Sequence, residues 1–178
     1  MRGWFVAAAS LATLISAAPA LAQSRIGVAD RPAPTPTDAP SYVDEAFAAD
    51  AFEVTSSKLA LSRSKDAAVR DLAARLIDGG TMTTNALLAA AEEANVPPPS
   101  SPSGDKVKGA MMDALTQTTG KDFDDTYIAQ QRRIQQESLA LHQRYAADGD
   151  NDILRDYAVD TAARAADQLD DVNNLPRR

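Results

Sequence analysis

The sequence predicts an all-α fold, an antiparallel bundle of four long amphipathic helices with one extra short helix. Three observations carry this expectation. Alanine, the strongest helix former, makes up about a fifth of the chain. From Ser41 onward the large apolar residues recur at three- and four-residue steps, which lines them up on one face of a helix. Strand-type alternation is absent, and the helical segments are joined by mostly brief turns.

Taken in chain order, residues 1–22 read as an export signal. Met1-Arg2-Gly3 is a positive start, Trp4 to Ile15 an apolar stretch, and Ala20-Leu21-Ala22 the small-x-small pattern of a cleavage site before Gln23. The run is short for a bilayer span and Pro19 breaks its end, so no membrane span is expected after cleavage. The expected location is periplasmic or secreted. Residues 23–40 include Arg31-Pro-Ala-Pro-Thr-Pro-Thr-Asp-Ala-Pro40, too proline-rich and too poor in large apolar residues to pack, and read as an extended tether.

The bundle occupies 41–178. Helix one is expected over Ser41 to Arg63, with Val43, Phe47, Ala51, Val54 and Leu61 facing inward. Helix two follows over Lys65 to Asn95, with Ser64 as its N-cap. Its inward residues are Val69, Leu72, Ala73, Leu76, Ile77, Leu87, Leu88 and Ala91. The prolines from Pro97 to Pro102 stop it. A short helix from Asp105 to Thr116 presents Val107, Met111 and Leu115. After Thr119-Gly120, Asp122 caps a helix running to Ala147 through Phe123, Tyr127, Ile134, Leu141 and Tyr145. The last helix, Asn151 to Asn174, buries Leu154, Ala158, Thr161, Ala165, Leu169 and Val172.

Composition removes whole classes of function. The chain has 18 Lys+Arg against 25 Asp+Glu, for a net charge of −7, and no long basic block, which makes a poor nucleic-acid binder. Without cysteine there is no disulfide, thiolate metal site, Cys nucleophile or lipidated Cys. With one histidine, no site can draw two imidazoles from a single chain.

Four residues sit oddly on the inward faces. Gly80 falls on the stripe of helix two, where glycine costs about 1 kcal/mol relative to alanine. Gln135 and Gln168 lie on the stripes of the last two long helices, and Glu53 borders that of helix one among Ala46, Ala49, Ser56, Ser57 and Ala60. Each is near mid-helix, where bundles converge side chains on cofactors and metals.

The motifs Glu53-Val-Thr-Ser-Ser-Lys58-Leu-Ala60, Val69-Arg-Asp-Leu-Ala73 leading to Leu76-Ile-Asp78, and Phe123-Asp124-Asp-Thr-Tyr127 resemble a bacterial secreted ferritin-like family of unknown function, over Phe47 to Leu175. The resemblance implies a ferritin-type four-helix bundle, export and no assigned reaction. Many members carry a Glu in helix one and a His in each of three later helices, a pattern suggestive of a metal site. Here Glu53 matches, while the histidine places hold Gly80, Gln135 and Gln168. What the resemblance implies is therefore a vestigial site.

The remaining chemistry is sparse. Di-iron bundles use Glu-x-x-His pairs, and this sequence has none. His142 lies seven residues after Gln135 and is either a displaced ligand beside Glu53 or a partly buried residue near the bundle end. Asp50 and Glu53, three apart, could share a cation or a proton, though helix acids ordinarily face solvent. Gly79-Gly80-Thr81 lacks the lysine of a phosphate loop, and no elbow motif raises a serine toward His142. Arg132-Arg133 and the patch of Asp167, Asp170 and Asp171 read as solvated faces.

The expectation is a noncatalytic exported bundle, without cofactor, that binds a protein or small molecule in the cell envelope and acts under envelope stress. One alternative is a metal-binding or metal-dependent oxidoreductase using Glu53 and His142. The other is a carrier of a small apolar ligand in space left by Gly80 and the many alanines.

Overall fold

The computed structural model describes residues 37–101 and 105–175. The expected signal and nearly all of the expected tether lie outside the described residues. The chain forms five helices, α1 (Ala39–Arg63), α2 (Ala67–Glu93), α3 (Lys106–Thr116), α4 (Gly120–Asp148) and α5 (Asp152–Asn173), and no strand among the described residues. No helix there is long and apolar enough to cross a membrane.

The helix ends follow capping chemistry, and they correct three expectations. Asp38 accepts the Ser41 N–H at 3.0 Å and starts α1, with Pro40 in its first turn, where a missing N–H costs nothing. Residues 39 and 40 therefore belong to the helix and not to the tether. Asp66, not Ser64, caps α2, accepting from the N–H of Ala68 at 2.8 Å. Ser64 instead closes α1, its N–H bonded to the Ala60 carbonyl at 2.9 Å and its hydroxyl accepting from the Asp66 N–H. Helix α4 begins at Gly120 with Thr119, not Asp122, at the cap position, three residues earlier than expected. Gly120 has φ +59, a conformation that favours glycine, and Asp122 lies in the first turn against the positive end of the helix.

Helix α1 packs on α2 and α4, and α5 packs on the same two, while α3 rests on α4 and α1. Cross-helix hydrogen bonds fix the directions. Along α1, Tyr42, Glu53, Ser56 and Ser57 meet His142, Gln135, Gln131 and Tyr127 of α4. One numbering rises as the other falls, so the two helices are antiparallel. Arg75 with Asp171 and Thr83 with Tyr157 show the same for α2 and α5.

The apolar interior is divided. One cluster gathers Tyr42, Val43, Ala46, Leu87, Leu141, Tyr145 and Leu154 at the start of α1. Another gathers Ala60, Leu72, Leu76, Leu115, Phe123, Tyr127 and Val172 at its end. Met111 of α3 joins Phe52 and Ile134 in a small third cluster.

The inward face of α1 is not the expected one. Val43 is buried, but Phe47, Ala51, Val54 and Leu61 are only partly so, and Ala46, Ala49, Asp50, Glu53, Ser56, Ser57 and Ala60 hold the interior. Small and polar residues there let neighbouring helices approach and give them hydrogen-bonding partners. Leu88 is 38% exposed because Leu87 takes the core position beside it, and Val107 is 55% exposed because only the Met111 and Leu115 side of α3 reaches the bundle. Ile77 and Leu169 are half-buried at the margins of their stripes.

Candidate functional site

Between the two large apolar clusters lies a polar layer centred on Glu53, which is 4% exposed. Its Oε1 accepts the Gln168 amide of α5 at 3.2 Å, and its Oε2 accepts the Gln135 amide of α4 in a short contact. From α2, Gly80 presents bare backbone. A Cβ there would stand 2.9 Å from Glu53 Oε1 and 2.9 Å from Val54 Cγ2. At Gly79 a Cβ would stand 2.5 Å from Gln168 Nε2. The glycine pair thus makes room for Glu53 and Gln168 to lie against α2. The structure brings Glu53, Gly80, Gln135 and Gln168 together, one residue from each long helix.

Asp50, one turn earlier on α1, belongs to the same layer. It is 8% exposed, and its Oδ2 accepts from the hydroxyls of Thr83 at 3.0 Å and Thr84 at 3.1 Å. The default reading of Asp50 as a solvated helix acid is overturned, while Glu53 lies inward as its place beside the stripe implied. Local spacing cannot reveal that threonines of α2 and glutamines of α4 and α5 will supply donors to satisfy them. Burial pushes the Asp50 carboxyl up to about 7, against the opposing pull of the two threonines. Burial, reinforced by the neighbouring Asp50, pushes the Glu53 carboxyl up to about 8, against the two glutamine amides.

The layer continues in Gln131 and Tyr157, which the sequence did not mark, and in Ser56, Ser57 and Tyr127, which it placed at or beside inward stripes without a role. Gln131 donates to Ser56 Oγ at 2.7 Å, Ser57 and the Tyr127 hydroxyl share a 2.8 Å hydrogen bond, and the Tyr157 hydroxyl donates to the Thr83 carbonyl at 3.2 Å. The available signal was positional, since Ser56 and Ser57 follow Glu53 by three and four residues and Gln131 precedes Gln135 by four. The carbonyl oxygens Oε1 of Gln131 and Gln135 are buried without a hydrogen-bond partner.

His142 is placed elsewhere. It is fully buried, not partly, within the aromatic end of the bundle, with Nδ1 2.9 Å from the Tyr42 hydroxyl and its ring edge-on to Tyr42 and Tyr157. Burial lowers its pKa to about 4, so it is neutral at physiological pH. Glu53 hydrogen-bonds to Gln135 and Gln168, and His142 to Tyr42.

The donor set fits a transition metal poorly. No imidazole or thiolate stands beside Glu53, both its oxygens already accept N–H groups, and no group of three or more His, Cys, Asp or Glu suited to a metal occurs among the described residues. Nor does Gly80 leave a ligand chamber, because Glu53 and Val54 fill the place of its side chain. A cleft of about 450 Å³ lies apart from this layer, among Arg63, Val69, Lys121, Asp124, Ile128 and Leu175. On the surface, Arg133 pairs with Glu137 at 2.7 Å, Arg132 bonds to Asn173, and Asp171 pairs with Arg75.

The sequence profile of a domain of unknown function, DUF4142, matches residues 23–175, and the chain belongs to that family. No curated protein matches it in sequence. Among solved structures, "CopM in the Cu(II)-bound form" is similar with a TM-score of 0.62 and 12% identity, over 76% of this chain and 93% of that one. At that identity the likeness speaks to the fold.

Proposed function

We propose that this DUF4142 protein is an exported, noncatalytic four-helix bundle of ferritin type that works by binding a partner in the cell envelope, and that its central layer is a metal site stripped of its metal-binding groups. The ferritin-type assignment is supported by topology. The hairpins α1–α2 and α4–α5 are joined by one long connection that carries α3, the single-crossover pattern of ferritin-like bundles.

The observation that carries the reading of the site is the clamp on Glu53. A carboxylate bound to a metal offers lone pairs to the cation, whereas both Glu53 oxygens are taken by amide donors whose positive ends would face an incoming cation. Gly80 supplies no ligand, and the one histidine is engaged with Tyr42. An oxidoreductase reading through Glu53 and His142 therefore lacks a shared site. The resemblance to a protein solved with Cu(II) makes copper the first metal to test.

Isothermal titration of the untagged mature protein with Cu(II), Zn(II) and Fe(II) provides that test. The wild type is expected to show no binding that depends on Glu53, whereas Gly80→His, Gln135→His and Gln168→His together should create micromolar or tighter affinity. Because the new side chain at position 80 must push Glu53 aside, the pair Gln135→His with Gln168→His is measured alongside. Tight wild-type binding that is lost in Glu53→Gln would overturn the reading.

A further inference from the structure

The central layer contains a feature that a spent metal site does not require, namely two buried acids with no base. Asp50 and Glu53 lie on one face of α1, and every group that bonds them is uncharged: Thr83 and Thr84 from α2, Gln135 from α4 and Gln168 from α5. The titratable groups close enough to interact with them are tyrosines. Tyr42 of α1 and Tyr157 of α5 face Asp50, and Tyr127 of α4 faces Glu53. All three phenols are held above their ordinary value by burial and stay neutral. Arg164, the charged group on that side, acts on Tyr157. No Lys, Arg or His contacts either carboxyl among the described residues.

We propose that Asp50 and Glu53 form a proton-dependent clasp, which holds the middle of α1 to the other three long helices while the carboxyls are protonated and releases it as they ionise. Placing two negative charges three residues apart in a layer without a cation is what burial opposes most strongly. A neutral carboxylic acid also keeps acceptor capacity on its oxygens, so protonated Asp50 and Glu53 retain the hydroxyl and amide donors around them.

The sign follows from proton counts. Both carboxyls titrate higher in the folded chain, about 7 and about 8, than in the unfolded one, where their ordinary values are 3.8 and 4.5. Between those limits the folded state holds more protons, so stability is complete below about pH 4 and is lost as pH rises through about 8. Each carboxyl raises the unfolding constant by up to about tenfold per pH unit within its window.

Denaturant unfolding and native-state hydrogen exchange across neutral to mildly alkaline pH test the clasp on the wild type, Asp50→Asn, Glu53→Gln and the double variant. The wild type should weaken until about pH 8, Asp50→Asn should keep most of the slope above about pH 7, Glu53→Gln should lose most of it, and the double variant should be flat. Amides of α1 around Glu53 should lose protection before those around Leu72 and Leu76. A wild type that does not weaken, a double variant with unchanged slope, or protection lost uniformly along the chain would overturn the proposal. Carbon NMR of the wild-type carboxyls decides the case even if the double variant fails to fold, since a Glu53 already ionised at neutral pH is incompatible with the clasp.

Discussion

The aromatic end of the bundle and its central layer solve the same problem in opposite ways. At the end, His142 is buried among Tyr42, Tyr145 and Tyr157 and kept neutral by giving up a proton. In the layer, Asp50 and Glu53 are buried among amides and hydroxyls and kept neutral by keeping one. Both regions thus avoid an unpaired buried charge, but acid should threaten the first and base the second. The end also has a rigid supporting stack, with the rings of Tyr42 and Tyr145 parallel at 3.8 Å between centroids, whereas the layer relies on hydrogen bonds that each contribute little net stability. The difference suggests that apolar ends hold the fold and the middle can change its state.

The largest effect should come from the ends. Leu72 and Leu76 are fully buried in the cluster at the end of α1, so Leu72→Ala should destabilise the protein by about 2–5 kcal/mol through lost burial and a residual cavity. A polar-layer truncation such as Ser57→Ala should cost only about 1–3 kcal/mol, mainly because it orphans the buried Tyr127 hydroxyl. Urea unfolding of the two variants at one pH measures the contrast. Equal losses would mean that the layer is as structural as the ends.

Next in size is the glycine pair. Gly80→Ala gains helix propensity of about 1 kcal/mol, but its methyl group would press on Glu53 Oε1 and Val54 Cγ2, and overpacking typically costs about 1–3 kcal/mol. A small net loss is therefore expected at neutral pH. It should be reduced in the Glu53→Ala background, where the oxygen that the methyl meets is gone. Thermal melts of the two single variants and the double variant test this coupling. Strict additivity would show that Gly80 is not there to admit Glu53.

These contrasts also mark how far the sequence could be read. The helices were legible because apolar periodicity and capping acids are local signals, and Asp66 against Ser64 shows their resolution, an error of two residues between adjacent oxygen-bearing side chains. The convergence of Glu53, Gly80, Gln135 and Gln168 was approachable because three of them interrupt an apolar stripe and Glu53 borders one. The identity of the buried face of α1 was not. Ser56 and Ser57, set among Ala46 and Ala49, look like a weak outer face until Gln131 and Tyr127 of α4 provide the hydrogen bonds they need. The burial of Asp50 is of the same kind, for its partners lie more than thirty residues away in the chain.

The finest difference between the regions is at the acid side. His142 has an ordinary value of 6.5 and a folded value of about 4, so between them the unfolded state binds the extra proton and stability falls as pH drops through that window. The carboxyl pair pushes the other way over the same range, since its protons are still being taken up preferentially by the folded state. The wild type should accordingly lose stability steeply with rising pH above about 6.5 and change more gently below it. His142→Gln keeps an acceptor within reach of the Tyr42 hydroxyl and removes the imidazole. Its stability should track that of the wild type above about 6.5, offset by a constant, and then gain on it by up to about tenfold in the unfolding constant per pH unit below. Paired denaturation curves through the acidic range read this directly. Curves that stay parallel down to about pH 4.5 would show that His142 is protonated in the fold, and that the aromatic end does not exclude charge as its burial implies.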